Sequence, residues 1–261
     1  MAGKVNTDRP ADGVLRLTIF NPTKRNALDA PILDAITAAL SSLDDVRCVI
    51  LTGCEEMFSS GYDIGEIPQE LFAEHASKLV AHPFTEALTA LELTDVPTLA
   101  ALPGPTIGGG LELALTCDLR LAAGGIQLGM PPARLGLVYS HTGLRRFLNA
   151  IGEPRTRELF LLGRQIDAQT ALAWGLVNRI VPDEDLEGAS IALAEQLAAN
   201  APLSMAGNKR VLRELLRSDA ALDPELEQEL IALREACFAS DDLREGVMAF
   251  AEKRTPRWTG R

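Results

Sequence analysis

The stretch Ile107-Gly108-Gly109-Gly110-Leu111-Glu112-Leu113-Ala114 decides how the chain reads. Three glycines run directly into an apolar pattern of helical spacing, so a helix opens near Gly109-Gly110. Glycine lets a ligand come close to the backbone, and the first turn of a helix aims N–H groups and the positive end of its dipole at whatever sits there. In principle that is an anion or oxyanion site. The same residues read equally well as a tight strand-to-helix turn in which glycine only permits the backbone shape.

Working outward, this segment follows a strand expected over 98–102 and a Pro/Gly loop, and precedes a strand over 119–122. Upstream lie a β-branched strand over 14–20, bounded by Gly13 and Asn21-Pro22, and a helix capped by Asp29 that runs to Leu43. Next come a buried-type strand over 48–52 (CVILT), stopped by Gly53, and a polar helical stretch from about Glu74 to Glu92. Strands alternating with helices make the fold class α/β. From Thr142 onward the chain reads as helices over 153–162, 168–174, 185–200, 203–217, 224–239 and 241–253, broken by one short strand over 177–181. The organisation expected is an α/β core over residues 1–200 and a helical region over 201–261 that packs on it or on a neighbour.

The chain has 261 residues, 47% hydrophobic and 23% charged, enough to bury a full core and too apolar for disorder. Its 25 basic and 36 acidic residues leave a net charge of −11, a mean field that repels nucleic acid and anionic membranes while permitting a local basic site. Cys48, Cys54, Cys117 and Cys237 show no metal-ligand spacing, and no apolar run has the length of a signal peptide or a bilayer span. A reduced, cytoplasmic protein is expected.

A second loop, Phe58-Ser59-Ser60-Gly61-Tyr62-Asp63-Ile64, also follows a buried strand. Standing alone it is an ordinary polar loop. Paired with the glycine run it gains meaning, because two loops that each follow a strand of one sheet converge at the same end and can each supply an N–H.

The ordered set formed by Asn26-Ala27-Leu28 after Lys24-Arg25, the 58–64 loop, Gly108 to Ala114 with Cys117-Asp118, Leu135-Gly136-Leu137 and AQTALAWGLV over 168–177 resembles the crotonase (enoyl-CoA hydratase/isomerase) superfamily over nearly the whole chain. The resemblance implies a repeated ββα core with a helical C-terminal region. It also implies an acyl-CoA thioester substrate, no cofactor beyond the coenzyme A of that substrate, and an oxyanion hole made by the backbone N–H groups of Tyr62 and Gly109. Donors set in advance stabilise the developing enolate oxygen without reorganisation, and loss of one costs ~3–4 kcal/mol.

Hydratases of this family work with two glutamates. Glu112 matches the first, but Pro132 stands where the second is expected, and Pro132 moves no proton. The same absence weakens an isomerase reading. Residues 59–68, Pro132, the Leu135-Gly136-Leu137-Val138-Tyr139 run and residues 242–256 resemble the methylmalonyl-CoA decarboxylase branch, with one departure: Tyr62 replaces a histidine. The expected activity is decarboxylation of a methylmalonyl-CoA-like substrate. Loss of CO₂ needs a held C–CO₂⁻ bond and an oxyanion hole rather than a base. Tyr139 is then the residue that positions the carboxylate, with Tyr139 or water giving the final proton. Glu112 reads either as an acid/base group or as a first-turn residue favourable to the helix dipole. His141 is a further proton donor to weigh against a helix-start role, and His75 and His82 carry no assigned chemistry. Enoyl-CoA hydratase/isomerase activity and a noncatalytic acyl-CoA- or RNA-binding role are the alternatives.

For the coenzyme A handle, the resemblance implies Lys24 and Arg25 near the nucleotide, Asp63 and Ile64 in the binding loop, and Phe250 and Lys253 reaching adenine and phosphates, often from a neighbouring subunit. Arg254 and Arg257 read as a solvated tail, although with Lys253 and Arg261 they make residues 253–261 basic and free of acid. A homotrimer or dimer of trimers is implied, with the C-terminal helices at the interface.

Overall fold

The computed structural model describes residues 2–54, 56–63, 83–218, 224–257 and 259. Ile64, the 74–82 part of the expected helix with His75 and His82, and Arg261 lie outside them. The described strands and helices are β1 (Lys4–Ala11), β2 (Val14–Phe20), α1 (Ala30–Leu40), β3 (Cys48–Gly53), α2 (Thr85–Leu93), β4 (Thr98–Leu102), β5 (Thr106–Ile107) and α3 (Gly109–Thr116). They continue with β6 (Leu119–Ala123), β7 (Gln127–Gly129), α4 (His141–Leu162), β8 (Gln165–Asp167), α5 (Ala168–Trp174), β9 (Arg179–Val181), α6 (Leu186–Ala198), α7 (Pro202–Ser218), α8 (Pro224–Phe238) and α9 (Asp241–Ala251).

One sheet has the order β1-β2-β3-β4-β6-β9, antiparallel between β1 and β2 and parallel from β2 onward. Its central strands are covered on both faces, which is why Cys48 to Leu51 and all of β4 are buried and read as unbroken apolar runs. Helix α6 lies across β2, β3, β4 and β6 and supplies one cover. The core gathers Leu17, Ile19, Ile32, Ile36, Ile50, Leu51, Leu99 and Leu121. Asp29 caps α1 as expected, its side chain accepting from the Ile32 N–H at 3.1 Å, but α1 stops at Leu40 rather than Leu43.

Two features were not legible beforehand. Strand β1 is mostly polar, with Val5, Pro10 and Ala11 half-buried at its two ends, so no alternation betrayed it. A second sheet, β5-β7-β8, consists of strands of two or three residues, too short for any periodicity. This small sheet matters because the Gly108 N–H donates to the Gly129 carbonyl at 2.9 Å, strapping the glycine run to β7. Helix α4 begins at His141, in keeping with the helix-start reading of that residue and well before the expected 153; Ser140 caps it by accepting from the Gly143 N–H, and it kinks at Gly152, where φ is 74° and ψ 170°.

Candidate active site

Two loops meet at the C-terminal ends of β3 and β4. Gly108 takes φ 57° and ψ −127°, a conformation other residues rarely adopt, and its carbonyl accepts from the Leu111 and Glu112 N–H groups so that α3 starts at Gly109. The other loop is stitched to its surroundings on both sides. Ser59 O accepts from the Ile107 N–H at 2.9 Å; the Leu28 N–H donates to Gly61 O at 2.8 Å, and the Asp63 N–H to Leu28 O at 3.1 Å. Because residue 28 pairs with the Gly61 carbonyl and the Asp63 amide, the intervening Tyr62 N–H points to the opposite side of this extended segment. Gly61 has φ +94°, and a Cβ there would stand 3.0 Å from Ile107 O and 3.2 Å from Gly109 N. The loops therefore touch backbone to backbone between Gly61 and Gly109, as the convergence argument required.

Asn26 fastens the turn before α1 to the segment after β3. It is buried, its Nδ2 donates to the carbonyls of Cys54 and Met57 at 3.0 and 2.8 Å, and its Oδ1 accepts from the Asn21 N–H at 2.9 Å. The sequence marked it only as part of a motif; the structure gives it this fastening work.

The side chains behind the glycine run form one chain of polar contacts. The Tyr139 hydroxyl donates to Glu112 Oε2 at 2.5 Å, and Arg146 Nη1 donates to Glu112 Oε1 at 2.8 Å. Arg146 also holds Glu92, with Nε at 2.9 Å and Nη2 at 2.7 Å from Oε1. At the other end stands Tyr62, whose side chain adds to the upward push on the Tyr139 phenol. The Tyr62 ring lies over Gly109, where a Cβ would meet its carbons at 3.1–3.3 Å, and meets Phe84 edge-on at 4.7 Å between centroids. Tyr62, Phe84, Leu88, Glu92, Glu112 and Arg146 line a cavity of about 210 Å³.

The Glu112 side chain is only 2% exposed, and burial pushes its carboxyl above the ordinary range, opposed by Arg146 and the Tyr139 hydroxyl. Burial, then Glu112 and Tyr62, push the Tyr139 phenol well above its usual value, so it stays protonated. Burial works against the Arg146 charge, but Glu112 and Glu92 more than offset it. In the ligand-free protein the phenol of Tyr139 is thus aimed at Glu112. Arg146 and Glu92 were missed. The only available signal was indirect: a glutamate buried in an apolar helix needs a cation, and the sequence does not say which one. His141 pairs with Glu227 at 3.1 Å rather than joining this chain. Pro132 is buried in a short turn, Pro132–Leu135.

The handle residues are less open than expected. Lys24 Nζ lies 2.8 Å from Asp63 Oδ2, so two of the residues assigned to coenzyme A hold each other. Arg25, exposed, sits at φ 55°, and its carbonyl accepts from the Ser60 N–H. Phe250 is 73% exposed near the end of α9, and Lys253 follows at φ 55°. Arg254 pairs with Glu245 and Glu252, which corrects the picture of the tail as uncompensated basic ground.

Comparison with known proteins agrees with this geometry. A family model described as enoyl-CoA hydratase/isomerase matches residues 9–261. A probable enoyl-CoA hydratase of Mycobacterium tuberculosis is 33% identical over 251 residues, covering 94% of each chain. A carnitinyl-CoA dehydratase of Salmonella enteritidis is 33% identical over 262 residues, covering 95% of each. Among solved structures, a methylmalonyl-CoA decarboxylase in complex with 2-nitronate-propionyl-CoA superposes with a TM-score of 0.89 at 29% identity, over 99% of both chains. One complexed with 2S-carboxypropyl-CoA gives 0.90 at 28% identity over 100% of both. Fold and site thus define an acyl-CoA enzyme of the crotonase type. The chain belongs to the enoyl-CoA hydratase/isomerase family.

Proposed function

We propose that the protein decarboxylates a malonyl-type acyl-CoA, with methylmalonyl-CoA as the model substrate. The observation that carries this reading is the engagement of both Glu112 oxygens, Oε1 by Arg146 and Oε2 by Tyr139. A hydratase needs a carboxylate aimed at a water and a second acid for the α-carbon. Here the buried carboxylate is tied to its neighbours, and Pro132 stands where the family's second glutamate is expected. Decarboxylation needs neither.

In this reading the thioester oxygen binds between the N–H groups of Tyr62 and Gly109. The C–CO₂⁻ bond breaks, its electron pair enters the enolate, and those donors stabilise the oxygen where charge collects. Arg146 partly offsets the charges of Glu112 and Glu92, which lessens the repulsion an incoming carboxylate meets. Tyr139, held by Glu112 in the ligand-free protein, turns its hydroxyl to the substrate carboxylate when the acyl-CoA binds, and the final proton reaches the α-carbon from Tyr139 or from water. Lys24, released from Asp63, and Arg25 serve the nucleotide phosphates, with Asp63 and Ile64 in the loop beside them. Phe250 and Lys253 serve adenine and phosphates, from a neighbouring subunit of a homotrimer or dimer of trimers. Support for that assembly is the exposure of Leu203, Val211, Leu212, Leu215 and Leu216 along α7.

The deciding experiment supplies methylmalonyl-CoA and crotonyl-CoA separately to the purified protein. Propionyl-CoA with CO₂ from the first is the expected result. If 3-hydroxybutyryl-CoA from the second is the principal product, the protein is a hydratase and the proposal fails.

A further inference from the structure

Arg146 belongs to no motif that marks the site, yet it is the only cation that touches the buried carboxylate among the described residues. It comes from the second turn of α4, lines the cavity, and divides its guanidinium between Glu112 on α3 and Glu92 on α2. The groups that face Glu112 are these: Arg146 from α4, Glu92 from α2, and Tyr139 from the loop before α4, with Tyr62 acting in turn on Tyr139. Glu92 and Glu112 act in opposite ways on the same guanidinium. Glu92 anchors it at its Nε edge while adding a second negative charge near Glu112.

We propose that Arg146 is a positioning residue that keeps Glu112 ionised and oriented as the acceptor for the Tyr139 hydroxyl, and that Glu92 sets how firmly it does so. A buried carboxyl left to itself takes up a proton. It would then donate, rather than accept, and the Tyr139 hydroxyl would turn away from it. With Arg146 in place the proton of Tyr139 is directed inward, which fixes the orientation of its hydroxyl and ring in the ligand-free protein. This deepens the decarboxylase reading by naming what holds its tyrosine, but the electrostatic claim concerns the ligand-free protein and stands apart from which acyl-CoA is turned over.

The two substitutions move Glu112 in opposite directions. Removing the cation in Arg146→Met raises its proton affinity; removing the competing anion in Glu92→Gln, whose amide oxygen still accepts from Nε, lowers it. The carboxylic C=O infrared band of ligand-free full-length protein is titrated with pH, and Glu112→Gln identifies which band is lost. The protonated band of Arg146→Met is expected to persist to a pH at least about one unit higher than in wild type, and that of Glu92→Gln to vanish at a lower pH. The acid limb of kcat shifts the same way in each variant, and Arg146→Lys, which keeps the charge, moves back toward wild type. The chain contains two tyrosines, Tyr62 and Tyr139, so tyrosinate absorbance gives a second readout confined to this site.

Shifts of the same sign in both variants, or an unshifted band with activity lowered equally at every pH, overturn the proposal and leave Arg146 a packing residue. If Arg146→Met does not fold, Glu92→Gln decides alone. A wild-type enzyme that hydrates crotonyl-CoA overturns the decarboxylase reading without altering the titration.

Discussion

Gly61 carries two constraints at once: a φ of +94° and a backbone neighbour where a side chain would begin. Gly61→Ala adds a methyl 3.0 Å from Ile107 O and 3.2 Å from Gly109 N, on backbone that cannot swing aside. The expected cost is about 1–3 kcal/mol of stability. Because the strain falls between the two loops, turnover drops further than the thermal midpoint suggests; calorimetry with steady-state kinetics on the same preparation checks both. Tyr139→Phe removes the donor to Glu112 Oε2 while leaving the ring edge-on to Phe160 at 5.4 Å. Its kcat for decarboxylation is expected to fall on the order of 10²-fold with the fold intact. Unchanged turnover removes Tyr139 from the mechanism. At this scale the sequence exposed Tyr62, Gly109, Glu112 and Tyr139 because they sit in dense local motifs. It did not expose Arg146 or Glu92, since 34 residues separate Arg146 from the carboxylate it serves and no spacing rule links them.

Helix α9 docks where Pro132–Leu135 turns, and Gly246 makes the approach possible. A Cβ at Gly246 would lie 2.3 Å from the Leu135 carbonyl oxygen. Gly246→Ala therefore forces the helix away from the turn that leads to Tyr139, at an expected cost of about 1–3 kcal/mol. A thermal midpoint equal to wild type would show that α9 does not pack as described. Elements with an apolar period or a clear cap were legible: β2, β4 and α5 fall on their expected limits. The first half of α4 was legible only at its start, where His141 read as a helix-start residue; the residues that follow are mixed polar and apolar and show no helical period. Strands β5, β7 and β8 exist because distant segments pair with them, and no local pattern announces such a partner.

Across the whole molecule the excess of acid is arranged rather than uniform. Near the C-terminus Glu245 accepts from the Arg254 side chain and from the Arg257 N–H, and these bonds, Arg254 first, hold its carboxyl at about 2. A depressed carboxylate contributes attachment that is complete above its ordinary value near 4.5 and is lost as pH falls through about 2. The protection of the Arg257 amide, relative to an unstructured amide at the same pH, is expected to hold down to pH 4.5 and to fall between there and about 2. Glu245→Gln brings the lower protection to neutral pH, and an amide indifferent to both would show that the tail is not held there. The sequence by itself determined the α/β class, the two glycine-bearing loops, the family resemblance and the missing carboxylate at 132, because each is written in contiguous residues. Only the tertiary structure decided that Glu112 is held by Arg146 and Tyr139, that Lys24 faces Asp63 and that Arg254 is neutralised. A charge is defined by what stands within a few ångströms of it, and folding, not chain order, chooses those neighbours.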